Sequence, residues 1–158
     1  MNPEEQKFLE RAIELSARGM QKLQGGPFGC VIVKDGKIIG EGCNEVTVTN
    51  DPTAHAEVVA IRNACKNLNS FQLEDCDVYA SCEPCPMCLG AIYWARPRRV
   101  FYANTKEDAA AINFDDQFIY DEIDKAGKQR AIEFIHRPHA AAIRVFEEWK
   151  KMDNKTVY

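Results

Sequence analysis

The sequence has no apolar run approaching the ~20 residues that a membrane-spanning helix requires. Its first residues are polar, and no apolar segment of the kind found in a signal peptide follows them. The last residues carry no lipidation or retention signal. We therefore expect a cytoplasmic protein without a membrane partner.

An excess of positive charge is also missing. The chain carries 20 Lys and Arg against 24 Asp and Glu, a net charge of −4, and has no basic tail or basic helix. Most nucleic-acid-binding proteins present a cationic surface, so no nucleic-acid partner is expected. Internal repeats and long linkers are absent too, and 46% of the residues are hydrophobic. A chain of 158 residues with this composition is expected to form a single domain spanning residues 1–158, not a disordered polymer.

The secondary-structure pattern alternates between strands and helices. A helix is expected to begin at Pro3, with Asn2 as its N-cap and Glu5 at its third position. Strands are expected at residues 28–33, 38–44, 77–81, 99–103 and 132–136, with a turn at 34–37 and a polar loop at 47–52. Further helices are expected at about 53–68, at 86–95, in pieces over 104–125, and at 140–151. The alternation indicates an α/β layered fold with a mostly parallel sheet that starts with an antiparallel hairpin.

Seven cysteines are present, and three of them are clustered. In a reducing compartment, clustered cysteines are more typical of metal binding or catalysis than of disulfides. Cys85 and Cys88 are separated by two residues, so both sulfurs can bind one ion, and His55 can supply a third ligand. Thiolate and imidazole together favour zinc. Pro86 places both cysteines at the first turn of a helix, where the helix dipole favours thiolates.

Two other metal sites must be considered. The run Cys82-x-x-Cys85-x-x-Cys88 resembles iron–sulfur ligation, but the next positions of that pattern hold Ile92 and Tyr93, which exclude it. A structural zinc site closed by Cys82 as a fourth ligand remains an alternative, because structural sites have four protein ligands and catalytic sites keep one position open. The remaining cysteines lie in apolar patterns and are interpreted as buried side chains: Cys30, Cys43, Cys65 and Cys76.

Glu57 favours the catalytic alternative. His-x-Glu followed by Pro-Cys-x-x-Cys is the signature of zinc nucleobase deaminases, in which the glutamate transfers protons and does not bind the metal. Zinc with two thiolate ligands is formally neutral, so it acidifies water less than a site of neutral imidazoles would. A carboxylate beside the water can take its proton and deliver it to the substrate.

Four segments, residues 26–29, 50–57, 81–97 and 114–120, carry a resemblance to a known family. The sequence resembles the cytidine deaminase superfamily (the cytidine and deoxycytidylate deaminase family), and within it is most similar to the bacterial guanine deaminases. The segment 81–97 is shared with the tRNA adenosine deaminases, whereas Phe114-Asp115-Asp116 and the terminal tyrosine are typical of the guanine branch.

The resemblance implies a three-layer α/β sandwich, a five-stranded mixed sheet with helices on both faces, and a homodimer that exchanges C-terminal segments. It implies a Zn²⁺-dependent enzyme that converts guanine to xanthine and ammonia. The residue roles that it implies are zinc binding by His55, Cys85 and Cys88, proton transfer by Glu57, substrate binding by Phe28, Asn44, Trp94, Asp116 and Tyr158, and catalysis by Asp116 at the departing amino group. The alternatives are a tRNA-specific adenosine deaminase and a non-catalytic zinc-binding module.

Overall fold

The computed structural model describes residues 2–158, which divide into two compact units. The first unit ends at Asp116 and the second is Gln117–Tyr158. The elements of the first unit are α1 (Pro3–Gln21), β1 (Gly29–Lys34), β2 (Lys37–Cys43), α2 (Val46–Thr49), α3 (Ala56–Leu68), β3 (Asp77–Cys82), α4 (Pro86–Ala95), β4 (Arg99–Asn104) and α5 (Lys106–Ala110). Those of the second are α6 (Gln117–Ile123), a 3₁₀ turn (Gly127–Gln129) and α7 (Ala140–Lys151).

A single mixed sheet forms the centre of the first unit, with the strand order β2-β1-β3-β4. β1 is antiparallel to both β2 and β3, whereas β3 and β4 are parallel. The hairpin between β1 and β2 turns at Asp35 and Gly36, which both have positive φ, as the tight turn between two twisted strands requires.

Alternating residues of β1 fill two separate cores. Cys30 and Ile32 face α3 and α4, while Val31 and Val33 face α1. This period of two is what a strand buried on both faces requires. The result is three layers, with α1 on one face of the sheet and α3 and α4 on the other. The expectation of helices on both faces is confirmed.

The start of α1 follows the sequence expectation closely. The Asn2 side chain accepts hydrogen bonds from the backbone N–H groups of Glu4 and Glu5, at 3.0 and 2.8 Å. The Glu5 carboxylate accepts one in return from the Asn2 backbone N–H, at 2.9 Å. This capping box satisfies N–H groups that would otherwise lack a partner at the helix start.

Three expectations about the fold are wrong. Across residues 2–158 the sheet has four strands and not five, because residues 132–136 pair with no strand. An isolated extended segment cannot satisfy its backbone groups by a ladder, and Ile132, Phe134 and Ile135 of this segment are exposed. The sheet is also not mostly parallel, since β1 is antiparallel to both β2 and β3, and the parallel pair is β3 with β4. The expected loop over residues 47–52 instead begins as the short helix α2.

The second unit consists of short helices without buried side chains. The Glu122 carboxylate accepts hydrogen bonds from the backbone N–H of Ala131 and from Lys125, both at 2.7 Å, and so connects α6 to the segment that follows the 3₁₀ turn. α7 is amphipathic, but its apolar residues, among them Ile143, Phe146 and Trp149, are exposed. No helix within residues 2–158 combines the length and apolar character needed to cross a bilayer.

Candidate active site and metal centre

The metal-ligand candidates lie at the starts of two helices, as expected. His55 is the residue that precedes α3, and Cys85 is the residue that precedes α4. Cys88 is buried in the first turn of α4, which Pro86 opens. The starts of α3 and α4 therefore lie close together, as the sequence predicts, since the side chains of His55 and Cys85 are in contact.

The three donor atoms are spaced for one tetrahedral ion. The His55 Nδ1 atom lies 3.5 Å from the Cys85 Sγ atom and 3.5 Å from the Cys88 Sγ atom. A tetrahedral zinc ion with ordinary Zn–N and Zn–S bond lengths holds its nitrogen and sulfur ligands about 3.5 Å apart. Within residues 2–158, no other group of three His, Cys, Asp or Glu side chains is close enough to share an ion. The donor set therefore fits zinc.

Hydrogen bonds within this group favour a thiolate at Cys85, which is the form that binds a cation. A hydrogen bond from Cys88 lowers the pKa of Cys85 to about 4, against the opposing effect of burial, and His55 lowers it further. The same bond, together with burial, raises the pKa of Cys88. The pKa of His55 is raised, chiefly by its hydrogen bond to Cys85. A metal ion would displace these protons, because only thiolate and neutral imidazole bind it.

Cys82 is not a fourth ligand. Its Sγ atom lies 3.4 Å from the backbone oxygen of Thr105, to which it donates a weak hydrogen bond. Burial raises the pKa of the Cys82 thiol to about 11. Its sulfur also lies outside the group of donor atoms close enough to share one ion, which contains His55, Cys85 and Cys88. Among the described residues the donor set thus has three members, which is the pattern of a catalytic zinc site.

A rigid loop sets the position of His55. The Asp51 carboxylate accepts hydrogen bonds from the Thr53 backbone N–H at 2.8 Å and from its hydroxyl at 2.7 Å. The Asp51 carbonyl accepts another from the Ala54 N–H, and the Ala54 carbonyl accepts one from Glu45. These bonds fix the turn that presents His55 ahead of α3.

The ligands border a cavity of about 440 Å³ that contains most of the expected site residues. Its lining includes His55, Cys85, Glu57, Phe28, Asn44 and Asp116. A larger groove of about 670 Å³ runs along the edge strand β2 and contains none of them. The smaller cavity is therefore the candidate active site, because a cavity with few converging polar groups on an apolar wall is typical of small-molecule sites.

Glu57 is the buried acid of this cavity, with 8% of its surface exposed. Burial raises the pKa of Glu57, and the negative charge of Cys85 raises it further. Such a carboxylate holds a proton more readily than an exposed one, as a group that both accepts and returns protons must.

Asn44 is a nearly buried amide at the end of β2. Its backbone N–H donates to the Phe28 carbonyl at 3.0 Å, and its Oδ1 atom accepts from the Val46 N–H at 3.2 Å. Because the Oδ1 atom is engaged by a backbone donor, the orientation of the amide is fixed. The Nδ2 donors then remain for a ligand.

Two phenylalanines form an apolar wall of the cavity. The rings of Phe28 and Phe114 meet edge to face, with centroids 5.0 Å apart and an interplanar angle of 88°. Phe114 follows Asn113, whose φ of +70° ends the preceding helical turns. The Phe114 N–H donates to the Ala109 carbonyl and the Asn113 N–H to the Ala110 carbonyl, each at 3.0 Å, which is the pattern of a left-handed helix C-cap.

Asp116 also lines the cavity, and burial together with the charge of Cys85 raises its pKa. Trp94 and Tyr158 are not among the residues that line it. Trp94 lies on the outer surface of α4 with 65% of its area exposed, and Tyr158 ends the second unit with 67% exposed. Their expected roles in substrate binding stay predictions.

Sequence reasoning assigned no role to several other lining residues, among them Thr47, Lys106 and Phe114. The signal for Phe114 was present, since it directly precedes the Asp115-Asp116 pair. Thr47 and Lys106 gave no signal, because single polar residues near a helix start are ordinary surface positions.

Comparison with known proteins agrees with this geometry. The family described as the cytidine and deoxycytidylate deaminase zinc-binding region matches residues 2–104. Guanine deaminase of Bacillus subtilis (strain 168) is 58% identical over 151 residues, which cover 96% of this chain and 97% of that protein. A tRNA-specific adenosine deaminase of Aquifex aeolicus (strain VF5) is 33% identical over 152 residues, with coverage of 95% and 97%. The chain belongs to the cytidine and deoxycytidylate deaminase family.

Solved structures give the same result. The X-ray structure of guanine deaminase from Bacillus subtilis superimposes with a TM-score of 0.95 at 56% identity, covering 100% of this chain and 99% of that one. A guanine deaminase from Nitrosomonas europaea superimposes with a TM-score of 0.67 at 30% identity, covering 73% of this chain and 65% of that one.

Proposed function

We propose that this protein is a zinc-dependent guanine deaminase, which converts guanine and water to xanthine and ammonia. The observation that carries the proposal is the single cavity lined by His55, Cys85, Glu57 and Asp116. Near full-length similarity to the Bacillus subtilis guanine deaminase supports guanine as the substrate, ahead of the more distant tRNA-specific relatives.

His55, Cys85 and Cys88 hold the metal, and Glu57 does not. Zinc held there would polarise a water molecule and lower its pKa, although less than a site of neutral imidazoles would, so a side chain must also take the proton. Glu57 accepts a proton from the attacking water and returns it to the purine ring. Its burial keeps this exchange away from bulk solvent.

The substrate residues have complementary chemistry. Phe28 and Phe114 offer an apolar surface to the planar base. The Asn44 amide donates to an acceptor on the edge of the purine. Asp116, with its raised pKa, is suited to hydrogen-bond or protonate the amino group that leaves from C2.

The first experiment measures ammonia release by zinc-loaded protein from guanine, adenine, cytosine, their nucleosides and tRNA in parallel. Release from guanine with formation of xanthine is the expected result. Release from tRNA alone would overturn the assignment in favour of the adenosine deaminase alternative. No release from any member would favour the non-catalytic zinc module.

A variant at Glu57 tests the proton-transfer role. Glu57→Gln keeps the size of the side chain but removes the proton acceptor, so turnover is expected to fall about 10²–10⁴-fold while zinc content stays at the wild-type value. Glu10→Gln in α1 makes the same chemical change at an exposed position and serves as the control. Near-normal turnover by a zinc-loaded Glu57→Gln enzyme would contradict the mechanism.

The active molecule in this proposal is a homodimer in which residues 1–158 form one deaminase domain and exchange their C-terminal segments. Both units expose apolar surface that a second copy can cover: Leu89, Tyr93 and Trp94 on α4, Val100 and Tyr102 on the edge strand β4, and Ile143, Phe146 and Trp149 on α7. Exposed apolar side chains in such number are typical of interaction sites.

Mixed dimers test the exchange. Tyr158→Ala and Glu57→Gln are each expected to be nearly inactive, because Tyr158 of one protomer closes the site of the other. Unfolding and refolding the two variants together is expected to restore activity at about a quarter of the sites, since half of the dimers are mixed and each has one intact site. No recovery in a solution of proven mixed dimers would contradict the exchange.

A further inference from the structure

The dipeptide Gly25-Gly26, between α1 and β1, passes very close to the candidate active site. A methyl carbon built on Gly25 would overlap the Asn44 Oδ1 atom. It would also lie 2.7 Å from the Asn44 carbonyl oxygen and 2.9 Å from its Cγ atom. Carbon atoms do not approach non-bonded atoms this closely, so any side chain at Gly25 must displace Asn44.

Gly26 makes the same approach to the aromatic wall. A methyl carbon on Gly26 would lie 2.8 Å from the Phe114 Cζ atom and 3.0 Å from the Phe28 Cε2 atom. These two rings meet over the Gly26 backbone in the edge-to-face pair that lines the cavity. A side chain at Gly26 must therefore separate them.

Backbone conformation does not account for either glycine. Among the residues described, Gly36 is the glycine with positive φ, and Gly25 and Gly26 adopt conformations open to other residues. What both positions require is space for a neighbouring side chain of the pocket.

We propose that Gly25 and Gly26 are positioning residues that set the geometry of the base-binding pocket, Gly25 through the Asn44 amide and Gly26 through the Phe28–Phe114 wall. This inference deepens the proposed function and rests on it.

The two positions are expected to differ in severity. Gly25 abuts backbone as well as side-chain atoms of Asn44, and the Asn44 N–H is itself bonded to the Phe28 carbonyl. A displacement there turns the amide away from the Val46 N–H that orients it. Gly26 meets only the far tips of two rings, which can move apart by small rotations. Gly25→Ala should therefore be the more damaging change.

The test compares Gly25→Ala and Gly26→Ala with Gln21→Ala, a control at an exposed position at the end of α1 that does not line the pocket. For Gly25→Ala, kcat/KM for guanine is expected to fall at least about tenfold, mainly through a rise in KM, because Asn44 binds the base and leaves the reacting groups in place. For Gly26→Ala the expected fall is smaller, and Gln21→Ala should stay within about twofold of wild type. A wild-type KM for Gly25→Ala would overturn the proposal.

A double-mutant cycle separates positioning from a general loss of structure. If Gly25 acts through Asn44, Gly25→Ala should cost at least about threefold less in kcat/KM when Asn44 is already alanine. An equal loss in both backgrounds would mean that Gly25 acts elsewhere, which would overturn the proposal. If Gly25→Ala does not fold, Gly26→Ala combined with Phe114→Leu provides the same cycle for the aromatic wall.

The same double-mutant cycle can also be measured by thermal unfolding, which does not require guanine turnover. Failure of the wild-type enzyme to release ammonia from guanine would contradict the proposed function, not the steric inference. The melting temperatures of the same variants then decide the inference. Gly25→Ala should lower the melting temperature more when Asn44 is present than when Asn44 has been replaced by alanine. Equal shifts in the two proteins would overturn the inference.

Discussion

Asp77, the first residue of β3, is a buried carboxylate held by two arginines. The Arg98 guanidinium donates to its two oxygens at 3.1 and 2.8 Å, and the Arg99 guanidinium donates to the same oxygens at 3.1 and 2.7 Å. Arg99 also forms an ion pair with Glu5 in α1, at 3.4 Å. The cluster therefore connects the first helix with two strands of the sheet.

The size of its contribution follows from the pKa of Asp77. Burial alone would raise this pKa, but the hydrogen bonds from Arg99 and Arg98 outweigh it and lower the pKa from 3.8 to about 2. A difference of that size corresponds to about 2.5 kcal/mol of folding free energy at neutral pH. Because both arginine side chains are about half exposed, solvent screening reduces the expected value to about 1–2 kcal/mol.

The pH dependence has a definite sign. The folded-state pKa of Asp77 is depressed, so its charged form stabilises the fold above pH ~4, and this contribution is lost as the pH falls towards 2. Asp77→Asn should lower the free energy of unfolding by about 1–2 kcal/mol at pH 6, and by about half as much at pH 3.

Urea unfolding of the wild type and the variant at both pH values measures these differences, and any loss of zinc in acid affects both proteins alike. Asp75→Asn is the matched control, because Asp75 is exposed and asparagine tolerates its positive φ. A loss below about 0.5 kcal/mol at pH 6, or one that does not shrink in acid, would refute the reasoning.

Three other changes have expected outcomes. Cys88→Ser should abolish stoichiometric zinc binding, measured as metal content per protomer, because three ligands leave no spare donor; full occupancy would contradict the ligand set. Asn113→Gly should be nearly neutral. Asn113→Val should lower the free energy of unfolding by about 1–2 kcal/mol and also lower kcat/KM, because a β-branched residue is strained at the positive φ that places Phe114 in the wall. Equal behaviour of the two variants would argue against this role. Asn2→Ala should lower the free energy of unfolding by about 1 kcal/mol through loss of the α1 cap, and Asn2→Asp should restore most of it.

Local sequence was sufficient to predict the group of donor atoms that the structure brings together. His55, Cys85 and Cys88, with Glu57 beside them, were candidates because their chemistry is rare and their spacing, with Pro86, places them at two helix starts. The capping box at Asn2 and the hairpin between β1 and β2 were also predictable, since each depends on a few neighbouring residues.

Tertiary structure decided the features that depend on distant partners. Residues 132–136 have strand-like composition, yet a strand exists only where another strand accepts its hydrogen bonds, and none within residues 2–158 does. Whether β3 runs parallel or antiparallel to β1 likewise cannot be predicted from the local sequence pattern.

By itself, the sequence determined which residues are candidates to bind a metal and transfer a proton, because donor chemistry and short-range spacing depend on residues close together in the chain. Only the tertiary structure brought Phe114 against Phe28 and left no space beside Gly25 and Gly26, because packing depends on atoms that meet from segments far apart in the chain.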